Sequence, residues 1–303
     1  MSNRTALDFV CTKETCPIDA SYFDYLPSLP LNSLLLAFFA VSLVLFVGQG
    51  VWFRTWTFAI AMVLGNICEI LGYMGRVMAH NDPFSMNPFL IQICCLTFGP
   101  AFFAAGIYLC LSRIVSIYGA DISRLQPIRY TQIFICCDFL SLVLQGAGGG
   151  MASVSTQDGG SATAGTNIMV AGLAFQVFTL TLFMILCGEY AYRVITSGRQ
   201  LNPTFAHLRD TRRFKGFLGM IAFATVCIQI RSIYRLIELS QGWHGALVAN
   251  ETYFFVLEGI MVIAAVLSMN VFHPGFCLQE AWNVRANEKL AGDASDVEMV
   301  EHR

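Results

Sequence analysis

Seven apolar runs, each close to the length of a membrane-spanning helix, dominate this sequence. A helix needs about 20 apolar residues to cross the hydrocarbon core of a bilayer. Hydrophobic residues make up 56% of the chain and charged residues only 13%, well below the share of charge in soluble domains. The sequence therefore predicts an all-α integral membrane bundle of seven transmembrane helices. The predicted spans are about 31–51, 56–78, 89–114, 131–153, 167–192, 216–239 and 253–272.

The distribution of Lys and Arg predicts the orientation, because cytoplasmic connections are enriched in both residues. With the N-terminus outside, 13 of the 18 Lys and Arg fall in cytoplasmic segments. Residues 1–30 then form an extracellular N-terminal segment, residues 31–272 the membrane domain, and residues 273–303 an acidic cytoplasmic tail. Between the first two runs only a short linker with Arg54 remains, which favours a tight hairpin over one very long helix.

The predicted extracellular segments carry candidate modification sites. Cys11 and Cys16 lie in polar sequence, where an oxidising environment favours a small disulfide loop; two free thiols are the alternative. Most other cysteines lie in apolar runs and are expected to pack as small hydrophobes. Sequons at Asn3 and Asn250 are candidate glycosylation sites. Asn250 lies so close to the seventh run that Asn3 is the better candidate.

Several function classes find no support in the sequence. A Walker A pattern is absent, so we expect no ATPase in this chain. Neither HExxH nor GxSxG occurs, no CxxC pair is present, and the five His are scattered among loops and termini. We therefore expect no enzyme activity, no metal site and no cofactor. The chain has no basic domain to hold phosphates, so we expect no nucleic-acid partner.

Charged residues inside the apolar runs are the main candidates for function. In the sixth run, Arg231, Arg235 and Glu238 follow the spacing i, i+4, i+7 and share one helix face. A guanidinium keeps its proton in proteins, and each one costs about 2.5–3.5 kcal/mol at membrane depth. Other helices must therefore supply partners for this face.

The second run repeats the same spacing with Glu69, Tyr73 and Arg76. In the predicted orientation these residues approach the outer end of their helix, and Glu258 lies in the first turns of the seventh helix. Three acids and three bases would then share the outer half of the bilayer. One interpretation is a polar cavity for a lipid headgroup or another amphiphile. The other is a structural salt-bridge network that sets helix register.

The fourth run contains one further membrane carboxylate, Asp138. It could take up a proton and drive exchange, cap a hydrogen-bond network, or bind Arg113. Gly146 and Gly150 follow in GxxxG spacing, for which close helix packing is the simpler explanation. Further inward-facing polar candidates are Gln92, Tyr108, Gln145 and Gln176.

Seven sequence motifs of this chain occur together, and in the same order, in one fungal family. They are EILGYMGR, the run from Gln92 to Arg113, DFLSLVLQGAGGG, the Gly172–Gln176 stretch, IRSIYRLIE, the Glu251–Glu258 stretch and FHPG. Over about residues 20–276 the chain resembles the lipid-translocating exporter family of fungi. That family includes proteins of resistance to aminocholesterol, to toxic molasses and to sphingoid long-chain bases. Polar positions that match the family pattern are Glu69, Tyr73, Arg76, Gln92, Asp138, Gln145, Arg231, Arg235, Glu238 and Glu258.

The resemblance implies a multi-pass plasma-membrane protein that exports or translocates lipids or amphiphiles without its own ATPase. Its implied partners are membrane lipids and amphiphilic small molecules such as sphingoid bases or sterol-like compounds. The seven-span topology fits a receptor or sensor equally well, and a regulator of membrane lipid asymmetry is a third reading. A homo-oligomer is compatible with the sequence.

Overall fold

The computed structural model of the protein describes residues 15–16, 21, 25–119, 126–157, 160–196, 201, 203–242, 251–278 and 282. These residues contain seven helices that are long and apolar enough to cross a membrane, and no strand. The predicted all-α bundle is thereby confirmed. The helices are α1 (Leu29–Phe53), α2 (Trp56–Asn81), α3 (Met86–Tyr118), α4 (Pro127–Gln157), α5 (Thr163–Thr196), α6 (Arg212–Ser240) and α7 (Glu251–Cys277).

Consecutive helices run in opposite directions and pack side by side. The end of α2 contacts the starts of α1, α3 and α7, so these three helices begin at the same end of the bundle. We call this end, where α1 begins, the N-terminal end, and the opposite one the C-terminal end. A one-turn 3₁₀ helix (Pro203–Phe205) and a short helix (Ala206–Asp210) precede α6 at the C-terminal end.

The connection between α1 and α2 is the tight hairpin that the sequence predicts. Phe53 ends α1 and Trp56 begins α2. Arg54 adopts a left-handed backbone conformation with φ 56°, and its N–H donates to the carbonyl oxygen of Gly50. The chain thus reverses within two residues, as a left-handed residue after a helix permits.

Glycines allow close approach of neighbouring helices, but not at the positions that the GxxxG spacing favours. A Cβ on Gly148 of α4 would lie 2.5 Å from the backbone nitrogen of Met169 and 2.6 Å from the carbonyl oxygen of Gly165 in α5. A Cβ on Gly150 would meet nothing within 4 Å. The prediction of close packing through Gly146 and Gly150 is therefore wrong for Gly150, and Gly148 makes the close contact instead.

The outer surface of the bundle is apolar. Large hydrophobic side chains such as Trp52 (83% exposed), Val44 (71%) and Phe178 (63%) point outward. A bilayer makes this arrangement stable because lipid tails are as apolar as these side chains. Polar and charged side chains are instead buried between the helices, which is where intramembrane ionisable residues are usually found.

Helix α7 changes its hydrogen-bonding pattern along its length. One α-helical turn (Glu251–Tyr253) is followed by a π-helix (Phe254–Ile260), and the α-helix resumes over Met261–Val271. After a break at His273, Pro274–Cys277 forms a last turn. π-helical segments are rare and often mark functional sites. This one carries Glu258.

Candidate functional site

Five charged side chains from three helices lie together in the half of the bundle nearest its N-terminal end. We call this group the charge cluster. Its members are Glu69 of α2, Arg231, Arg235 and Glu238 of α6, and Glu258 of α7, and none is more than 4% exposed. A set of charges buried this deeply requires either internal partners or a ligand.

Arg231 joins three helices. Its Nη2 donates to Oε1 of Glu258 at 2.5 Å and to the carbonyl oxygen of Leu96 in α3. Because the arginine lies on α6 and the glutamate on α7, this ion pair helps to set the rotation of the two helices relative to each other. Helical spacing within α6 alone could not show this partner.

Arg235 forms its ion pair within its own helix. Its Nη1 donates to Oε2 of Glu238 at 2.5 Å, at the spacing i, i+3. The hydroxyl of Tyr234 donates to the other oxygen of Glu238 at 3.1 Å. Both oxygens of Glu238 are therefore occupied, and this carboxylate is fully held by α6.

Glu69 receives no hydrogen bond from the described part of the chain. Neither of its carboxylate oxygens has a partner among the described residues. The charges that act on it are those of Arg231, Glu258 and Arg235. Glycine at position 99 of α3 makes room for it, because a Cβ there would collide with Oε1 of Glu69. The carboxylate thus lies against backbone, inside the bundle and free to accept hydrogen bonds.

Other polar atoms around Glu69 also lack partners in the described part of the chain. They are the hydroxyl of Tyr73, Nε and Nη1 of Arg231, Nε and Nη2 of Arg235, and Oε2 of Glu258. Buried polar groups are nearly always hydrogen-bonded, since each unsatisfied one costs about 1–3 kcal/mol. Concentrated in one cluster, these donors and acceptors are typical of a site for a polar group.

The charge balance indicates the sign of that group. With every member ionised, the charge cluster holds three carboxylates and two guanidinium groups, so negative charge is in excess by one. An uncompensated charge is unfavourable in a low-dielectric interior. The cluster is therefore neutralised by one bound cation or by one proton on a carboxylate.

Arg76 lies outside the charge cluster, at the N-terminal end of the bundle, and its guanidinium is well supplied with partners. It pairs with Glu251 of α7 at 3.6 Å and lies 3.9 Å from the centre of the Phe254 ring. Its hydrogen bonds go to Oδ1 of Asn32 (2.7 Å), the hydroxyl of Tyr25 (2.8 Å) and Oε1 of Gln92 (3.3 Å). This set of contacts makes Arg76 a structural tie between helix ends.

The segment before α1 crosses the same end of the bundle. The backbone N–H of Ser28 donates to Glu251 at 2.7 Å, and Nδ1 of His80 lies 2.7 Å from the carbonyl oxygen of Pro27. Burial raises the pKa of Tyr25 above its ordinary value, so its hydroxyl stays neutral beside Arg76. The segment covers the end of the bundle closest to the charge cluster.

Asp138 lies in a separate polar group between α3, α4 and α5. The hydroxyl of Tyr108 donates to Oδ2 of Asp138 at 2.9 Å, and the hydroxyl of Thr179 lies 3.4 Å from Oδ1. The hydroxyl of Thr179 also donates to the carbonyl oxygen of Gln176 at 2.9 Å, so the shorter and better hydrogen bond to Asp138 is the one from Tyr108. The guanidinium of Arg113, an alternative partner on sequence grounds, lies over the ring of Trp282 at 5.0 Å.

The ten site residues considered from sequence therefore fall into three places. Glu69, Tyr73, Arg231, Arg235, Glu238 and Glu258 lie in or beside the charge cluster. Arg76 and Gln92 lie at the N-terminal end. Asp138 and Gln145 lie among α3, α4 and α5, with Nε2 of Gln145 donating to Oε1 of Gln176 at 3.0 Å. Gly99, Asn32 and Glu251 contact these site residues but were not predicted from the sequence. For Glu251 the sequence does contain a signal, because an acidic residue at the start of a membrane-spanning helix is a candidate partner for Arg76.

The candidate modification sites are only partly within the described residues. Cys16 is disulfide-bonded, and the other nine described cysteines are free. Cys11, Asn3 and Asn250 lie outside the part of the chain that the structure describes.

Comparison with known proteins places these residues in a family. The family described as RTA1 like protein matches residues 62–281, a range that contains the whole charge cluster. No solved structure matches the chain.

Three yeast proteins are among the relatives. The sphingoid long-chain base transporter RSB1 of Saccharomyces cerevisiae is 33% identical over 285 residues, which cover 85% of this chain and 74% of the transporter. Protein RTA1 of the same organism is 29% identical over 246 residues, or 80% of this chain and 74% of that protein. Protein RTM1 of Saccharomyces cerevisiae is 29% identical over 216 residues, which cover 70% of this chain and 66% of that protein. The chain belongs to the RTA1-like protein family.

Proposed function

We propose that this protein transports amphiphiles that carry a cationic headgroup and an apolar chain, the class to which sphingoid long-chain bases belong, across the plasma membrane. One relative is named as a transporter of such bases. The observation that carries the proposal is the environment of the Glu69 carboxylate. Glu69 is 1% exposed, and neither of its oxygens has a hydrogen-bond partner among the described residues.

An ammonium group fits the unmet capacity of the charge cluster. It brings three N–H donors and one positive charge, and the acceptors without partners in the described chain are both oxygens of Glu69, Oε2 of Glu258 and the hydroxyl of Tyr73. Charge-assisted hydrogen bonds to a carboxylate are stronger than neutral ones. The unused N–H groups of Arg231 and Arg235 suit the hydroxyls that accompany the amine in a long-chain base. In this proposal Glu238, whose oxygens are both occupied, positions Arg235.

The predicted orientation, with the N-terminus outside and the C-terminus cytoplasmic, puts the charge cluster in the outer half of the membrane. We propose that the headgroup crosses through the bundle interior to this cluster while the apolar chain stays in contact with lipid. The sequence has no Walker A pattern, so the energy comes from the gradient of the amphiphile or from exchange with another ion.

Transport by the purified full-length chain in phosphatidylcholine vesicles tests the proposal. A fluorescent long-chain base is loaded on one side, and its movement is followed for wild type, Glu69→Gln and Asp138→Asn. We expect the wild type and Asp138→Asn to move the base well above protein-free vesicles, and Glu69→Gln to approach them. An N-acylated base with the same chain but no charge should move at the background rate.

Two outcomes would overturn the proposal. In the first, folded wild type moves the base no faster than empty vesicles. In the second, charged and N-acylated chains move equally well. If the base binds without moving and a cytoplasmic protein is recruited in response, the receptor interpretation replaces transport.

A further inference from the structure

A groove opens between α3, α5 and α6 in the half of the bundle nearest its C-terminal end, away from the charge cluster. Its volume is about 470 Å³. Apolar side chains such as Leu111, Phe183, Met184, Leu218 and Val226 line it. The volume is within the usual range of ligand sites, and the walls suit a hydrocarbon occupant.

Two of the hydroxyls on the walls have acceptors within the protein. The hydroxyl of Thr225 donates to the carbonyl oxygen of Ile221 at 2.7 Å. The hydroxyl of Tyr190 lies 3.4 Å from the carbonyl oxygens of Val115 and Gly119. These two hydroxyls therefore need no hydrogen bond from an occupant, in contrast to the unpaired groups of the charge cluster.

The length of the groove matches the depth of one membrane leaflet. Along α5 its lining runs from Phe183 to Ile195, which is about 18 Å at 1.5 Å per residue. The hydrocarbon core of a bilayer is about 30 Å thick, so one leaflet contributes about 15 Å. A single acyl chain standing along α5 would fill the groove from the membrane surface to the midplane.

The surface end of the groove is basic. The guanidinium of Arg209 lies 5.9 Å from the ring centre of Tyr118, a lining residue, and its Nη1 donates to the carbonyl oxygen of Ile117. Described charged side chains at the adjoining ends of α5 and α6 are five basic (Arg193, Arg209, Arg212, Arg213 and Lys215) and two acidic (Glu189 and Asp210). This excess of positive charge attracts anionic headgroups and repels ammonium groups.

We propose that the groove binds one acyl chain of an anionic membrane phospholipid, with the headgroup at the basic connection between α5 and α6. The occupant differs in charge from the amphiphile assigned to the charge cluster, and it lies in the opposite half of the bundle. The inference does not depend on transport, because it uses neither Glu69 nor any of its neighbours.

Photolabelling in vesicles tests this site. The full-length protein is reconstituted in phosphatidylcholine with trace phosphatidylserine that carries a diazirine on one acyl chain, and labelled peptides are mapped by mass spectrometry. We expect labels around Met184, Cys187 and Val226, with a yield about five-fold above that of the matching phosphatidylcholine probe, as expected for one nearby basic side chain. Unlabelled phosphatidylserine should compete, and a long-chain amine should not.

Two glycines provide a matched pair of variants. A Cβ on Gly188, which lines the groove, would meet nothing within 4 Å, and the same holds for Gly219, which is not among the lining residues. Gly188→Leu should suppress the labels while Gly219→Leu leaves them unchanged. If Gly188→Leu fails to fold, Ala222→Leu fills the same groove from α6.

Two results would overturn the proposal. Equal labelling by both phospholipid probes, unaffected by Gly188→Leu, would show ordinary boundary lipid. Competition by the long-chain amine instead of phosphatidylserine would make the groove a binding site for the chain of a cationic amphiphile.

Discussion

Glu69 and Asp138 are both buried carboxylates on membrane-spanning helices, 1% and 4% exposed. The hydroxyl of Tyr108 donates to Oδ2 of Asp138 at 2.9 Å, and the hydroxyl of Thr179 lies 3.4 Å from Oδ1. Glu69 has no hydrogen bond from any described residue, although two arginines act on it. The two carboxylates are therefore alike in burial and differ in their hydrogen bonds, and this difference underlies the proposal that Glu69 receives a ligand.

The Asp138 group and the charge cluster also differ in the charge of the side chains around their carboxylates. The Asp138 group contains neutral donors and has no basic side chain among its described hydrogen-bond partners. The charge cluster holds two arginines, and some of their N–H groups have no acceptor among the described residues. A network that served only to fix helix register would gain from complete pairing, since unpaired buried charge is destabilising. The incomplete pairing is what favours a ligand site over a purely structural network.

Removing Arg231 should have the largest effect on stability. In Arg231→Met the carboxylate of Glu258 loses the ion pair that joins α6 to α7, and breaking a buried pair costs about 3–5 kcal/mol. Denaturant unfolding of purified protein in detergent measures the loss. The double variant Arg231→Met, Glu258→Gln should recover much of it, and equal stability of Arg231→Met and wild type would contradict the structural part of this interpretation.

Asp138→Asn should lower the free energy of unfolding by about 1–3 kcal/mol, because the buried hydroxyl of Tyr108 loses its carboxylate acceptor. Glu69→Gln should leave stability unchanged or raise it, since it removes the excess negative charge of the cluster and breaks no hydrogen bond to a described residue. The two variants, measured side by side by the same unfolding assay, separate the regions. A larger destabilisation by Glu69→Gln than by Asp138→Asn would reverse the assignment.

Gly99→Ala should weaken binding and transport of a cationic amphiphile several-fold while the protein still folds. The added methyl collides with Oε1 of Glu69; overpacking costs about 1–3 kcal/mol, and displacement of the carboxylate relieves it. Gly150→Ala is the control, because its Cβ meets nothing within 4 Å. Transport rates in vesicles report the effect, and wild-type rates for Gly99→Ala would show that the position of Glu69 is not important.

Tyr108→Phe should have the smallest effect, a loss of about 0.5–1.5 kcal/mol in unfolding free energy, because Asp138 keeps the hydroxyl of Thr179 as a neighbour. Transport should stay at the wild-type rate. A strong loss of transport with little loss of stability would bring the Asp138 group into the transport path.

The seven-helix fold can be predicted from the sequence, because the length of each apolar run can be read directly from the chain and determines whether that run can cross a membrane. All seven helices, and the reversal at Arg54, follow from run lengths and the short linker between the first two runs. Spacing within α6 correctly places Arg231, Arg235 and Glu238 on one buried face.

The partners of these charges could not be predicted, because they depend on how each helix is rotated about its axis. Arg76 shares a helix face with Glu69 yet pairs with Glu251. Nothing in the sequence distinguishes Gly99 from other glycines in apolar runs, and its contact with Glu69 is evident only in the structure. The π-helix over Phe254–Ile260, which sets the position of Glu258, has no marker in the sequence.

Equilibrium binding of a sphingoid long-chain base to the purified protein is the measurement to make first, with wild type, Glu69→Gln and Asp138→Asn compared in the same detergent. We predict that wild type and Asp138→Asn bind the base alike. Glu69→Gln should bind about tenfold more weakly or worse, since a hydrogen bond to a charged group contributes about 1.5–3 kcal/mol, and an N-acylated base should bind weakly to all three. Folded Glu69→Gln that binds the base as tightly as wild type would contradict the assignment of the charge cluster as the headgroup site.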